Sequence, residues 1–212
     1  MKKIISILFA SLFLSVTAHA GGMIGIKYGT GELEGTKEAY TAGSNSYSSE
    51  TKDVSNEYGE IFAELNIGDT PMSVGVAFIP YTATISVDGN SSDSHLELSD
   101  HTTIYALLSR GVGSGDASAY FKVGYAMADI GNVKANYTTT TINSNSSELD
   151  GIMLGVGLQS PELALGMVAR VETTWIDYDD VSVTTTSNGS TSVKKTADAE
   201  LTTVTISLAK TF

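Results

Sequence analysis

Two histidines lie close together in the stretch Asp93-Ser94-His95-Leu96-Glu97-Leu98-Ser99-Asp100-His101. Histidine, serine and a carboxylate are the residue types of nucleophilic acyl transfer, where the ring takes the hydroxyl proton and the acid orients the ring. His95, His101 and Asp100 are also donors that a divalent metal accepts. Neither chemistry has the pattern it needs. The spacing matches no metal-ligand motif, and His101 is followed by Thr102 and Thr103 rather than by a serine. Serine, aspartate and histidine are ordinary components of a solvated loop, and that is the reading adopted for this stretch. Gly111, Gly113 and Gly115 fall at a turn, with no lysine and no following helix to grip a phosphate. The chain has no cysteine, which removes thiolate nucleophiles, disulfides and Cys-ligated metals. The expectation is no catalytic residue, no metal site and no cofactor.

A second set of reactive side chains has a different setting. Lys27, Glu60, Glu64, Lys122, Arg170 and Glu172 sit inside apolar segments, three basic and three acidic. What they do depends on the elements that carry them.

Those elements have a period of two. Ile152, Leu154, Val156 and Leu158 alternate with Gly151, Met153, Gly155 and Gly157. Met72, Val74, Val76 and Phe78 alternate with small residues, and Ile61, Ala63, Leu65 and Ile67 alternate with Glu60, Phe62, Glu64 and Asn66. Alternation of this kind marks a β-strand with two unlike faces. Eight such segments are predicted, near 23–33, 55–68, 71–87, 97–113, 117–133, 148–160, 162–181 and 196–212. The fourth, around Ile104 to Leu108, has the least clear phase. Their connections alternate in length. Gly68-Asp69-Thr70-Pro71, Gly113-Ser114-Gly115-Asp116 and Ser160-Pro161-Glu162 are tight turns; 34–54, 88–96, 134–147 and 182–195 are long and polar. Asp88-Gly89 and Asn188-Gly189 are hairpin signals within the long set, and Tyr137–Thr141 reads as an extension of the fifth strand. The predicted strands far exceed the usual five or six residues. A soluble sandwich would put Gly25, Gly29, Gly31, Gly151, Gly155 and Gly157 in its core and leave it underpacked.

The chain begins Met1-Lys2-Lys3, continues apolar from Ile4 to Val16, and reaches Thr17-Ala18-His19-Ala20 before Gly21. That three-part pattern is a secretory signal peptide cleaved after Ala20, leaving 21–212 as one domain. Loss of Lys2 and Lys3 deepens the net charge from −12 to −14. An acidic exported chain has no electrostatic footprint for nucleic acid.

The signal peptide, the eight amphipathic strands, the alternating turns and a last strand from Leu201 to Phe212 resemble the small eight-stranded outer-membrane β-barrels of Gram-negative bacteria. The OmpA barrel, OmpX, OmpW and Opa-like families share this plan. The resemblance implies an all-β, transmembrane, antiparallel up-and-down barrel in the bacterial outer membrane, a monomer among lipid and lipopolysaccharide. It implies that Val204, Ile206, Leu208 and Phe212 form the signal read by the barrel-assembly machinery. Lys210 stands where an apolar residue is usual.

In such a barrel the apolar phase faces lipid and the opposite phase faces a narrow lumen. Lys27, Glu60, Glu64, Lys122, Arg170 and Glu172 are therefore assigned to the lumen, either as an ion-pair network that closes it or as a polar path for protons or small ions. Tyr28 and Trp175 toward the outer rim, with Phe121 and Phe212 toward the periplasmic rim, are assigned to aromatic girdles. The expected role is structural or surface-interacting, with an extracellular partner reached through the loops. A narrow porin and a lipid-modifying enzyme at the outer rim are the alternatives.

Overall fold

A computed structural model describes residues 21–42, 44–81, 83–86, 95–134, 140–144, 148–187 and 191–212. The signal peptide, Asp88-Gly89, Tyr137 and Asn188-Gly189 lie outside the described residues.

Eight strands form the wall: β1 Gly22–Lys37, β2 Glu50–Asn66, β3 Met72–Phe78, β4 His95–Gly111, β5 Ser118–Lys134, β6 Glu148–Gln159, β7 Met167–Ser187 and β8 Thr191–Thr211. Each pairs antiparallel with its neighbour in sequence. The circuit closes where β1 pairs with β8, from Met23 opposite Thr211 to Lys37 opposite Ala197. Closure leaves no free edge over the paired span, so every strand there finds backbone partners on both sides. The short connections all lie at one end and the long ones at the other.

The two faces are inverted relative to a soluble protein. Ile26, Ile104, Ile152, Leu158 and Ile206 point outward and are at least half exposed. The lumen holds Phe62, Tyr105, Tyr120, Met153 and Tyr178 together with charges. Glycines inside make room for the rings. A Cβ on Gly75 would stand 2.5 Å from the Tyr105 ring, and one on Gly157 would collide with the phenol end of Tyr120. Gly75→Ala is therefore expected to lose roughly 1–3 kcal/mol by overpacking. Gly35→Ala, with only a backbone oxygen 3.9 Å away, should leave the unfolding midpoint unchanged in the same melt.

The strand ends depart from the periodicity. β3 stops at Phe78 instead of running to 87, because Pro80 has no N–H for the ladder and holds Ile79 extended. Pairing resumes at Ala83–Ser86, opposite β4. β7 starts at Met167 rather than 162, since 161–166 are spent on a turn in which Leu165 and Gly166 both take positive φ. β1, β2, β7 and β8 each run four to six residues farther outward than predicted. Thr140–Ser144 does not extend β5; it pairs with Val183–Ser187 of β7. β4 pairs in unbroken register from Thr102 to Gly111, so the unclear phase around Ile104 to Leu108 is no fault of the ladder; the irregularities of this strand lie farther out. Its register shifts between Leu96 and Leu98 and again between Ser99 and Thr102, where Asp100 has φ of 55°. Two bulges cannot keep one alternation.

Candidate functional site: the charged lumen

Strand phase delivers all six predicted charges to the interior. Each is at most 8% exposed, and Lys122 is fully covered. They arrive from four strands, and they meet because closing the barrel brings strands distant in sequence across a narrow lumen.

Nearest the tight-turn end, Arg170 of β7 grips Glu64 of β2 in a two-pronged contact. Nη1 donates to Oε1 at 2.7 Å and Nη2 to Oε2 at 2.8 Å. The fork geometry is specific to a guanidinium on a carboxylate. Arg170 Nε also donates to Gln159 Oε1 at 2.8 Å, and Tyr105 Oη donates to Glu64 Oε1 at 2.8 Å. The guanidinium carbon lies 5.0 Å from the centre of the Tyr120 ring. One step outward, Lys27 lies directly opposite Glu60 across the β1–β2 ladder, and its Nζ is 2.6 Å from Glu60 Oε1. The same ammonium reaches Glu172 Oε1 at 3.1 Å. Lys122 Nζ is 2.6 Å from Glu172 Oε2, which also accepts from Tyr120 Oη at 2.8 Å. Lys122 sits over the Tyr105 ring at 4.1 Å, a cation–π contact in a dry setting. The two clusters each contain both signs and share Tyr105 and Tyr120 as spacers. Ions so poorly exposed are tolerable only with partners, since an uncompensated buried charge costs several kcal/mol.

The outer half of the barrel is different. Above Lys27, Lys122 and Glu172 lies a cavity of about 110 Å³ walled by Leu33, Ile79, Ile176, Leu201, Tyr58 and Tyr178. His101 opens into it. This corrects the solvated-loop reading: His101 belongs to β4, and the bulge beside it turns the ring inward. Its Nε2 lies 2.9 Å from Tyr178 Oη, with the rings edge to face. Its Nδ1 is buried without a hydrogen-bond partner among the described residues. His101 is thus engaged by a tyrosine rather than by a serine and an acid. The backbone of His95 pairs with Ser86 and Lys134 in the wall, so it too is strand and not loop. Among the described residues no group of three metal-ligating side chains converges.

The aromatic residues assigned to the rims all point outward. Tyr28 and Trp175 are 54% and 46% exposed, but they lie on the tight-turn side of the midpoints of β1 and β7 and not at an outer rim; Phe121 and Phe212 are 47% and 55% exposed near the tight-turn end. Tyr28 Oη donates to Glu57 Oε2 at 2.5 Å, tying the ring to the neighbouring strand. Val204, Ile206 and Leu208 of β8 and Phe212 just past its end share the outward phase. Lys210 has a local role in that row: its Nζ donates to the Leu165 carbonyl and so clamps the positive-φ turn.

The sequence assigns no lumen role to Phe62, Tyr105, Tyr120 or Tyr178 on charge alone, and in it His101 reads as part of a solvated loop. Phase could have found three of them. Phe62 lies between Glu60 and Glu64, Tyr120 lies two residues before Lys122, and Tyr105 alternates with outward Ile104 and Ala106. His101 could not be found that way, because a bulge separates it from the regular part of its strand.

No family model matches this sequence, and no curated protein matches it. Solved structures do. The outer membrane protein OprG of Pseudomonas aeruginosa superposes with a TM-score of 0.62 at 11% identity, over 91% of this chain and 97% of that one. Ail, the attachment invasion locus protein of Yersinia pestis, solved with the heparin analogue sucrose octasulfate, superposes at 0.50 and 12% identity, over 92% of this chain and all of the other. The fold of this chain is that of the small outer-membrane β-barrels.

Proposed function

We propose that this protein is a structural and surface-interaction component of the bacterial outer membrane, with a lumen closed by its own ion pairs and no catalytic role. The observation that carries the reading is the pairing of all six lumen charges at 8% exposure or less. An eight-stranded barrel has an interior only just filled by side chains, and here those side chains neutralise one another. That leaves the external extension as the surface on which a function can act.

The extension has a feature suited to partner binding. The β1–β8 ladder ends at Lys37 opposite Ala197, while β8 continues to Thr191 paired only with β7. Thr191–Lys195 therefore has no ladder partner on the side away from β7 among the described residues; Tyr40–Ala42 packs beside β8 without joining its ladder, and another chain that displaces it can add a strand. Lipid and lipopolysaccharide surround the apolar band, the last strand addresses the assembly machinery, and a monomer suffices for all of this.

Single-channel recording on refolded protein in a planar bilayer tests the closed lumen. The expected trace is silent or shows only brief, small events. A large, steady conductance would replace this reading with a narrow porin, which the 110 Å³ outer cavity would then serve as a mouth. In parallel, deletion of residues 182–195 is expected to reduce adherence of cells carrying the protein. Unchanged adherence to every surface tried would remove the free edge as the site of interaction.

A further inference from the structure

The loop between β1 and β2 contains a short hairpin, Tyr40–Ala42 paired with Asn45–Tyr47. Three-residue arms are far below the length at which a hairpin is stable alone. Two features hold it. It rests beside β8, and Tyr40 and Tyr47, directly opposite across the pair, stack with centroids 4.7 Å apart and planes within 10°. A near-parallel stack covers one face of each ring. Lys37 Nζ stands 5.8 Å from the Tyr40 ring centre. Tyr47 remains 44% exposed, so an aromatic surface is presented outward at the external end of the barrel.

The residues around it are Thr41, Asn45, Ser46, Ser48 and Ser49. Tyrosine amid serine and asparagine is the composition of antibody-type contact loops. The ring supplies rigid area at low entropy cost, and the short polar side chains supply adaptable hydrogen bonds. The local charge is balanced as well. Glu50 Oε2 accepts from Lys37 at 3.1 Å, and Lys52 lies 3.6 Å from its other oxygen. The hydrogen bond from Lys37 holds the Glu50 carboxyl below its usual range, so it is ionised at neutral pH and offsets one of the two lysines. Glu38 beside them offsets the other. The four charges nearest the hairpin in sequence, Lys37, Glu38, Glu50 and Lys52, therefore sum to zero, on a chain whose excess charge is strongly negative.

We infer that the Tyr40–Tyr47 stack is a carbohydrate-binding platform that takes an uncharged sugar, its C–H face laid on the exposed tyrosine and its hydroxyls met by Asn45, which shares the Tyr47 face of the strand. This rests on the surface-interaction reading and gives it a ligand class. A pyranose offers such a flat C–H face to an aromatic ring, while a sulfated or phosphorylated glycan would meet the repulsion of an acidic molecule.

The test uses the full refolded barrel in detergent, with immobilised lactose as an uncharged probe and heparin as a sulfated one, alongside a panel of uncharged glycans. Binding to at least one uncharged glycan is expected, weakened about tenfold by Tyr47→Ala, which equals 1.4 kcal/mol, and about twofold or less by Tyr47→Phe, which keeps the ring. Both variants should keep the wild-type melting curve, because the hairpin lies outside the barrel wall. Binding to heparin alone, or binding to uncharged glycans that Tyr47→Ala leaves intact, overturns the platform while leaving the surface-interaction reading in place. No glycan binding, together with adherence that survives deletion of 182–195, overturns both.

Discussion

Arg170→Ala is expected to lose about 3–5 kcal/mol of unfolding free energy, the range for removing one member of a buried ion pair. The loss comes less from the missing attraction than from what stays behind. Glu64 is 1% exposed and accepts two of its hydrogen bonds from Arg170. Without the guanidinium it keeps only the donation from Tyr105 within this cluster. The same substitution frees Gln159 Oε1 and removes the cation from the Tyr120 ring. A thermal melt of refolded protein followed by far-UV circular dichroism should show a midpoint lowered by roughly 10 °C, by the scaling for chains of this length. Arg170→Lys should recover only part of the loss, since an ammonium cannot make the two-pronged contact. An Arg170→Ala protein that melts with wild type would mean that the pair is hydrated and adds nothing to the barrel.

The second large effect is expected at Glu172, the carboxylate shared by both lysines. Glu172→Gln leaves Lys27 with Glu60 but takes from Lys122 its ion-pair partner, at a position with no solvent exposure. A loss of about 3–5 kcal/mol is again expected. The decisive comparison is the double variant Glu172→Gln/Lys122→Met. Methionine has a similar length and no charge, so most of the lost stability should return. Recovery in the double variant identifies an unpaired buried charge as the cause. Equal instability in single and double variants would point instead to packing against Tyr120 and Gly157. Bilayer recordings on the single variant add a functional readout. If the lumen is held closed by charge pairing, freeing Lys122 should raise the frequency of conducting events above the wild-type level.

Much of this architecture is legible from one physical fact, the period of two. A strand that buries one face and exposes the other writes that division into alternate residues. Ile152 to Leu158 and Val204 to Leu208 do so without interruption, and their strands lie where the alternation placed them. The placement of Glu60 and Glu64 inside follows from the same rule, because they alternate with Ile61, Ala63 and Leu65. The pattern inverts beyond the apolar band. There Glu32, Glu34, Asp198 and Glu200 take the outward phase of β1 and β8, while Leu33, Ala199 and Leu201 take the inward one. A rule that follows an apolar outward face stops at that inversion, so it ends these strands too early.

The sequence by itself determined the strand count, the up-and-down order, the alternation of short and long connections, and which phase of each strand faces inward. These depend on local periodicity and turn chemistry, and both are written in consecutive residues. The tertiary structure decided what the inward residues meet. That Arg170 reaches Glu64, 106 positions away, while Lys27 divides itself between Glu60 and Glu172 depends on how far each strand is staggered against the next around the closed wall. Stagger is a property of the whole circuit, and a bulge on any strand changes it. For the same reason His101 was legible only as a histidine near an acid. The bulge at Ser99–Thr102 aims its ring at Tyr178, and no pattern of types along the chain encodes that direction.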